Sequence, residues 1–364
     1  MLNRLVFENV RHRPVRTLLS VLAIAVEVTM ILTLVGVSYG TLDESSRRAR
    51  GVGADIVFRP PTSSALSLGS APMSANFVST LMSKPHVAFA MGTIVQSLGG
   101  FDVATGLDLD QFKKLSGGFH IIHGRPFQAD DEILVDEYYA REKKLHVGST
   151  IRLMNHDWHV SGIFESGKLT RIAMKLSVLQ DLTGNTGKLS QIYLKVDDPK
   201  RAQEVVDSLR KQLPDYNIYT MEEFTSLLTI NSVGLLKDFI GVVIGIAVIV
   251  GFIVVSMAMY TAVLERTREI GILKSLGASS IYILNLLVRE TLLIVIAGTM
   301  LGILLTYGTR WILMHAVPAS LTQEIVYPWW PIAAGISIAG ALMGVIFPAW
   351  KAVKQDVISA LAYE

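Results

Sequence analysis

Residues 265–278 read E-R-T-R-E-I-G-I-L-K-S-L-G-A and lie between two long apolar stretches. As a helix, this segment places Ile270, Leu273, Leu276 and Gly277 on one side and its charged residues on the rest. Gly277 is positioned to cap the C-terminus of the helix. A loop that only anchored a membrane topology would need neither an apolar stripe nor a cap. The pattern therefore favours a helix that docks on a partner.

The charges of this segment form two predicted pairs three residues apart, Arg266 with Glu269 and Glu265 with Arg268. We take the whole segment as the candidate docking site. Its residues are Glu265, Arg266, Arg268, Glu269, Ile270, Gly271, Leu273, Lys274, Leu276, Gly277 and Ala278.

The composition indicates a membrane protein. The chain has 364 residues, of which 51% are hydrophobic and 18% charged, and its mean hydropathy is +0.44. The net charge of +2 is too small to indicate binding to nucleic acid. The absence of cysteine excludes disulfides, thiolate metal sites and a cysteine nucleophile.

Hydropathy predicts four transmembrane helices, with an α+β extracytoplasmic domain inserted between helices 1 and 2. The first apolar run is too long for a signal peptide and has no cleavage site after it. The four predicted spans are 17–40, 238–263, 284–312 and 331–350. Outside the membrane, we predict a basic amphipathic surface helix at 1–16, the extracytoplasmic domain at 41–232, the docking segment at 264–280 and a tail at 351–364.

Positive charge orients the four spans. Basic clusters lie before the first span, between the second and third, and after the fourth, and four spans place all three clusters on one side. Both termini and the docking segment are then predicted to be cytoplasmic. Arg47, Arg48 and Arg50 lie on the other side, where they open a long domain and the charge rule has little force.

The domain at 41–232 shows mixed α and β patterns. Alternation predicts strands at 132–135, 150–153, 159–164 and 191–196, with a turn at Asn155-His156-Asp157. Asp198 and Pro199 are predicted to start a helix whose apolar residues follow the helical period. Residues 60–75, rich in Ser, Pro and Gly, are predicted to form a loop.

Two apparent site motifs are better explained structurally. Residues 162–168 match the start of a phosphate-binding loop, but Leu169 stands where the Mg²⁺-binding Ser or Thr belongs. We read this segment as a strand and turn. The pairs His120/His123 and His156/His159 have the wrong spacing for metal ligation on a strand, so no metal site is predicted.

Two acids in the spans are candidate intramembrane sites. Glu27 lies in the middle of the first span and is predicted to face a protein interface or a wet cavity, either as a functional group or as a protonated or hydrogen-bonded packing residue beside Thr29 or Thr33. Glu290 follows Arg289 near the start of the third span, where we favour a structural ion pair. Three G-x-x-x-G pairs, at 241/245, 298/302 and 340/344, predict close helix packing.

The motif V-x-E-R-x-R-E-I-G-I-L-K-x-L-G-A at 263–278, followed by Glu290, resembles that of the FtsX-like permease superfamily. This is the macrolide-exporter and lipoprotein-releasing type of ABC transporter permease. The N-terminal F-E-N-V-R-H-R-P-V-R-T-L-L, the outer-domain segments 124–127, 134–138 and 147–153, and the C-terminal segment from Pro348 are also similar. Val357 departs from the usual proline of that last segment.

The resemblance implies a non-enzymatic permease of the cell (inner) membrane that works with a second copy or a close paralogue. A separate cytoplasmic ABC ATPase would bind ATP and Mg²⁺, dock on 265–278 and drive mechanotransmission. The permease itself would bind no cofactor. The expected activity is efflux or extraction of an amphipathic or hydrophobic substrate in contact with membrane lipids, and the need for a periplasmic adaptor is left open.

Two other functions remain open on the sequence. The first is a cell-division-type regulatory complex that activates a cell-wall hydrolase without transport. The second is a membrane-bound sensor whose ligand site is the outer domain.

Overall fold

The computed structural model describes residues 14–61, 63, 72–99, 102–228, 234–265, 267–316 and 322–354. Most of the predicted surface helix at 1–16, Arg266 and tail residues 355–364 lie outside these ranges. Contacts divide the chain into two units. The membrane unit comprises Met1–Tyr39, Leu235–His315 and Gln323–Glu364, and the outer domain comprises Gly40–Gly234 with Ala316–Thr322.

The outer domain contains both helices and strands, and the described secondary structure outside it is helical. The helices are α1 (Pro14–Arg50), α2 (Phe77–Met82), α3 (Leu109–Ser116), α4 (Glu137–Lys143), α5 (Leu176–Leu182), α6 (Ala202–Gln212), α7 (Met221–Leu227), α8 (Gly234–Glu265), α9 (Thr267–Ser275), α10 (Ser280–Ala316) and α11 (Trp329–Lys354). The strands are β1 (Ile56–Arg59), β2 (Met73–Ser74), β3 (Val87–Gly99), β4 (Asp102–Leu107), β5 (Ile121–Gly124), β6 (Glu132–Asp136), β7 (Thr150–Leu153), β8 (His156–Phe164), β9 (Ile172–Lys175), β10 (Lys188–Leu189), β11 (Gln191–Val196) and β12 (Asn217–Thr220).

Four helices, α1, α8, α10 and α11, are long and apolar enough to cross a membrane within the described ranges. This confirms the predicted fold class, four transmembrane helices with the α+β domain inserted after the first. The helices run a few residues beyond the predicted spans at most ends. Their buried apolar side chains, including Ile24, Val28, Val255, Val295 and Val345, form one hydrophobic cluster.

Helix α1 is longer than predicted. It continues without interruption from Pro14 to Arg50, so its last turns belong to the outer domain. Arg47, Arg48 and Arg50 therefore lie in the first residues of the outer domain, and they do so within the final turns of this helix. Three basic residues at a helix C-terminus interact favourably with the helix dipole, which favours continuation to this point.

The outer domain is built on a ten-stranded mixed sheet. The strand order is β12-β1-β11-β3-β4-β9-β6-β8-β5, with β7 also paired to β8. Two neighbouring pairs, β4 with β9 and β6 with β8, are parallel, and the other pairs are antiparallel. Strands β2 and β10 form a separate antiparallel pair. Helices interleaved along the chain with these strands make the domain α+β.

The strand predictions hold, with one correction at a turn. Strands β7 and β11 have the predicted bounds, and β6 is one residue longer. The predicted turn at Asn155-His156-Asp157 is wrong by one residue, because Met154 and Asn155 adopt positive φ angles of 52° and 60° and close the β7–β8 hairpin. His156 and Asp157 consequently belong to β8. Asp198 accepts a hydrogen bond from Lys200 N and caps a 3₁₀ turn that leads into α6, as predicted.

Candidate coupling site

Helix α9 forms most of the segment predicted to dock on a partner. It ends at Ser275 in a closed C-terminal cap, in which Ala278 N donates to Leu273 O at 2.9 Å and Gly277 N donates to Lys274 O at 3.0 Å. Gly277 has a φ of +91°, a left-handed conformation that favours glycine. The predicted C-cap is present, and the chain turns directly into α10.

The apolar residues of α9 point in two directions. Ile270 is buried and belongs to the hydrophobic cluster of the membrane unit, and the neighbouring Gly271 is also buried. Leu276 is 79% exposed and Ile272 is 43% exposed. The prediction that Ile270, Leu273, Leu276 and Gly277 share one face is therefore wrong. The reason is helical geometry: at about 100° per residue, Leu276 lies roughly 120° around the axis from Ile270, and Leu276 N still makes the helical hydrogen bond to Ile272 O.

The charged residues of the segment differ in whether they are exposed to solvent or packed against the protein. Arg268 and Glu269 are exposed on α9, and Glu265 is exposed at the end of α8. Lys274 donates to the carbonyl of Val353 in the last turn of α11 at 2.5 Å, which stabilises the C-terminal end of that helix. We assign Lys274 to internal packing. The predicted pair of Arg266 with Glu269 lies outside the described residues.

The two intramembrane acids are both buried. Glu27 is 6% exposed, its carboxyl group lies directly against Gly251 of α8, and its Oε1 has no hydrogen-bond partner among the described residues. The alternative that Glu27 hydrogen-bonds to Thr29 or Thr33 is not supported, because Thr29 donates to Gly302 O and Thr33 pairs with Thr309. Glu290 is fully buried in α10, and Arg289 beside it is exposed.

Two of the three predicted glycine pairs pack helices together. A β carbon on Gly298 or Gly302 would meet Ile24 or Val28 of α1 at 2.7 Å. Gly344 lies against α8, where Ser256 Oγ donates to its carbonyl at 2.8 Å. The third pair, Gly241/Gly245, has no heavy atom within 4 Å of an added β carbon on either residue in the described part of the unit.

Residues 162–168, which resemble the start of a phosphate-binding loop, form a strand end and a turn, as predicted. Its first three residues end β8, and the rest form a turn in which Gly167 and Leu169 have positive φ angles. Lys168 donates to the carbonyls of Ser116 and Gly118 at 3.3 and 2.8 Å. This lysine therefore stabilises the C-terminal end of α3 instead of facing a ligand.

The candidate histidines lie on two neighbouring strands: His120 directly precedes the edge strand β5 and His123 lies in it, whereas β8 pairs with β5, β6 and β7. His120 is hydrogen-bonded to Glu165 at 3.0 Å, and His159 pairs with Asp131 at 3.6 Å. His156 and His159 both lie in β8, three residues apart. Within the described ranges, no group of three or more metal-ligating side chains is close enough to hold a metal ion.

A buried charge cluster of the outer domain was not predicted. Arg171 Nη2 lies 2.6 Å from both carboxyl oxygens of Glu44, and the two side chains are 3% and 7% exposed. Asp136 is also fully buried, and burial raises its pKa to about 6. The pairing joins residues 127 positions apart. The one local signal was the spacing of Glu44 and Arg48 by four residues at the end of α1.

The outer domain also contains an open cavity of about 710 Å³. It is lined by apolar residues that include Leu107, Phe119, Phe127 and Leu134, and by charged residues that include Asp110 and Lys113. A cavity of this size is in the range that accommodates small organic ligands.

The arrangement of four membrane helices, with an α+β domain after the first, defines a multi-pass membrane protein with one large outer domain. Its sequence matches the MacB-like periplasmic core domain at residues 17–212 and the FtsX-like permease C-terminal domain at residues 241–357. The first match covers more than half of the chain. The chain therefore belongs to the ABC transporter permeases that join these two domains, a family that implies an ATPase partner and residence in the inner membrane.

Two relatives and one solved structure are similar to this chain. An uncharacterized ABC transporter permease of Methanocaldococcus jannaschii is 25% identical over 98% of this chain and 96% of its own length. The macrolide export ATP-binding/permease protein MacB of Hahella chejuensis is 26% identical over 97% of this chain, which spans 58% of that relative. The crystal structure of the periplasmic region of MacB from Actinobacillus actinomycetemcomitans is 13% identical, covers 49% of this chain and 94% of its own, and has a TM-score of 0.38.

Proposed function

We propose that the chain is the permease subunit of an ABC transporter that exports or extracts an amphipathic or hydrophobic substrate. A separate ATPase binds ATP and Mg²⁺ and supplies the work, the permease functions with a second copy or a close paralogue, and both termini face the cytoplasm. Motion of the membrane helices reaches the substrate through the outer domain by mechanotransmission. The four apolar spans support this mode, because Glu27 and Glu290 are their principal acidic groups and both are buried.

The observation that carries the proposal is the shape of the segment at the end of α9. The exposed Leu276 and Ile272 form an apolar projection, and the exposed Arg268 and Glu269 lie on the same short helix. Buried anchors surrounded by polar groups are typical of protein interfaces. The cap at Gly277 fixes the projection, and Ile270 and Lys274 fix the helix to the membrane unit.

The test is replacement of Leu276 by Asp in the full permease, reconstituted with its ATPase. Removing an apolar anchor and burying a charge at the interface should lower the affinity for the ATPase at least tenfold and abolish its stimulation. The reversal Arg268→Glu should weaken the complex to a smaller extent.

Ser275→Asp is the matched control, because it adds the same charge at an exposed neighbouring position. It should retain most of the affinity. Full ATPase stimulation by Leu276→Asp would exclude this segment as the coupling site.

A further inference from the structure

Four buried or partly buried charges meet in the outer domain. Glu44 and Arg48 lie on the last turns of α1, Asp136 ends β6, and Arg171 immediately precedes β9. Arg171 binds both oxygens of Glu44 at 2.6 Å, while Arg48 Nε is 4.0 Å from Glu44 Oε1. Two acids and two bases make the cluster neutral overall, which lowers the cost of its burial.

The same region joins the end of α1 to the sheet. Leu169 N donates to Arg48 O at 3.0 Å, and Gly51 packs directly on the carbonyl of Gly167. Thr322, which precedes α11 in the chain, donates to Glu44 Oε2 at 3.4 Å. Glu44 is therefore the point where α1, the segment before β9 and the connection between α10 and α11 meet within the outer domain.

Two polar atoms of this cluster are not used in the observed pairing. Arg171 Nη1 and Asp136 Oδ2 are both buried and have no hydrogen-bond partner within the described ranges. The backbones of the two residues are adjacent, because Asp136 N donates to Arg171 O at 2.8 Å. Arg171 and Arg48 are both close enough to Asp136 to act electrostatically on its carboxyl group, and Arg48 Nε is 4.0 Å from Glu44.

We propose that Arg171 is a two-position latch for the outer end of α1. In the first position, Arg171 pairs with Glu44 and holds α1 to the segment before β9. In the second position, Arg171 pairs with Asp136, Glu44 pairs with Arg48, and the end of α1 is no longer held by Arg171. In the second pairing Asp136 gains the partner that its Oδ2 lacks in the observed one, while Glu44 exchanges Arg171 for Arg48, so each pairing gives up one ionic contact for another, as a two-state switch requires. The latch goes beyond the proposed transport function and does not depend on the ATPase.

The charge on Asp136 decides between the two positions. Burial raises its pKa to about 6, opposed by the hydrogen bond from Tyr139 N and by Arg171 and Arg48, and Glu44 raises it further. Asp102 of β4 and Glu142 of α4 also face this region, and Glu142 pairs with Lys143. Below pH 5 a neutral Asp136 attracts Arg171 weakly, and above pH 7 a charged Asp136 competes with Glu44.

The latch is testable by distance measurement, because the sequence has no cysteine and two can be introduced freely. Spin labels at the exposed Arg50→Cys and Lys114→Cys would report the end of α1 against α3 in the full chain. We expect one distance at pH 5 and a second population at pH 8. Its fraction should rise about tenfold, following the ionisation of a group with a pKa near 6.

Two nearly isosteric variants should fix the latch in opposite positions. Asp136→Asn keeps the cap on α4 and should show the pH 5 distance at both pH values. Glu44→Gln should show the second population at both. The controls Asp43→Asn, an exposed acid beside Glu44, and Asp102→Asn should behave like the unmodified chain.

The results separate this inference from the proposed function. A pH-dependent second population that persists in Asp136→Asn, or that disappears in Asp102→Asn instead, would overturn the assignment of Asp136. A single distance for Glu44→Gln at both pH values, equal to that of the unmodified chain at pH 5, would overturn the latch itself. Failure to bind any ATPase would refute the proposed function and leave these distances unaffected.

Discussion

Helix α1 carries two buried acids, one in its membrane region and one in its outer-domain region. Glu27 and Glu44 are nearly equally buried, at 6% and 5% exposure. Glu44 is held by Arg171 through both oxygens, whereas Glu27 lies against Gly251 and its Oε1 has no partner in the described part of the chain. One helix therefore buries the same chemical group in two different ways.

The difference shows what each environment requires. In the outer domain, a buried carboxylate is stabilised by a cation recruited from a distant part of the chain. In the membrane region, the space for the carboxyl group comes from the missing side chain of Gly251. A charge in that region is costly without a partner, so Glu27 is expected to contribute through its shape more than through an ion pair.

The largest effect should come from breaking the paired acid. Arg171→Met removes the close partner of the buried Glu44 and leaves it with Arg48, whose Nε is 4.0 Å from Oε1, so it should cost about 3–5 kcal/mol of outer-domain stability. Hydrogen exchange of the amides in β6 and β9 of the full chain would measure this loss.

The matched control is Lys175→Met, which removes an exposed partner of Asp130. Exposed pairs are worth less than about 1 kcal/mol. Equal losses for the two variants would mean that the Glu44–Arg171 pair is no more important than a surface contact.

Local pattern was sufficient to predict much of the fold. The apolar runs identified the four spans, and Asp198-Pro199 and Gly277 marked the start and end of helices. These features depend on neighbouring residues, which the sequence shows directly. The hairpin turn was misplaced by one residue because Met154, a residue rarely found at positive φ, occupies it.

The contacts that matter most to the site depend on residues far apart. The pairing of Glu44 with Arg171 spans 127 positions, and Gly251 makes room for an acid on another helix. Neither contact produces a periodic pattern in the sequence from which it could be predicted. A helical wheel separates Leu276 from Ile270 by roughly 120°, but which of the two sides packs on the membrane unit depends on residues far away in the sequence.

The second prediction concerns the pH dependence of the paired region. Because the pKa of Asp136 is raised from 3.8 to about 6, the folded state holds its proton more tightly than the unfolded state. The contribution of Asp136 to the free energy of unfolding should therefore be greatest below pH 4. It should fall by up to about 3 kcal/mol as the pH rises to 6.

Asp136→Asn removes this dependence while retaining a side chain that caps α4. We expect the variant to be more stable than the unmodified chain at pH 7 and equally stable near pH 4, measured by hydrogen exchange of β6 and α4 amides. A variant that is less stable at pH 7 would show that ionised Asp136 is already fully paired with Arg171.

The smallest effect should come from the acid in the membrane region. Glu27→Gln preserves the shape against Gly251, and the Oε1 atom has no hydrogen bond to lose within the described ranges, so the cost should stay below about 1 kcal/mol. Gly251→Ala keeps the acid and removes its space, so it should cost about 1–3 kcal/mol. Thermal unfolding of the purified full chain in detergent would compare the two. If Glu27→Gln destabilised the chain as much as Arg171→Met, Glu27 would have to be charged and paired as Glu44 is, and the contrast between the two regions of α1 would not hold.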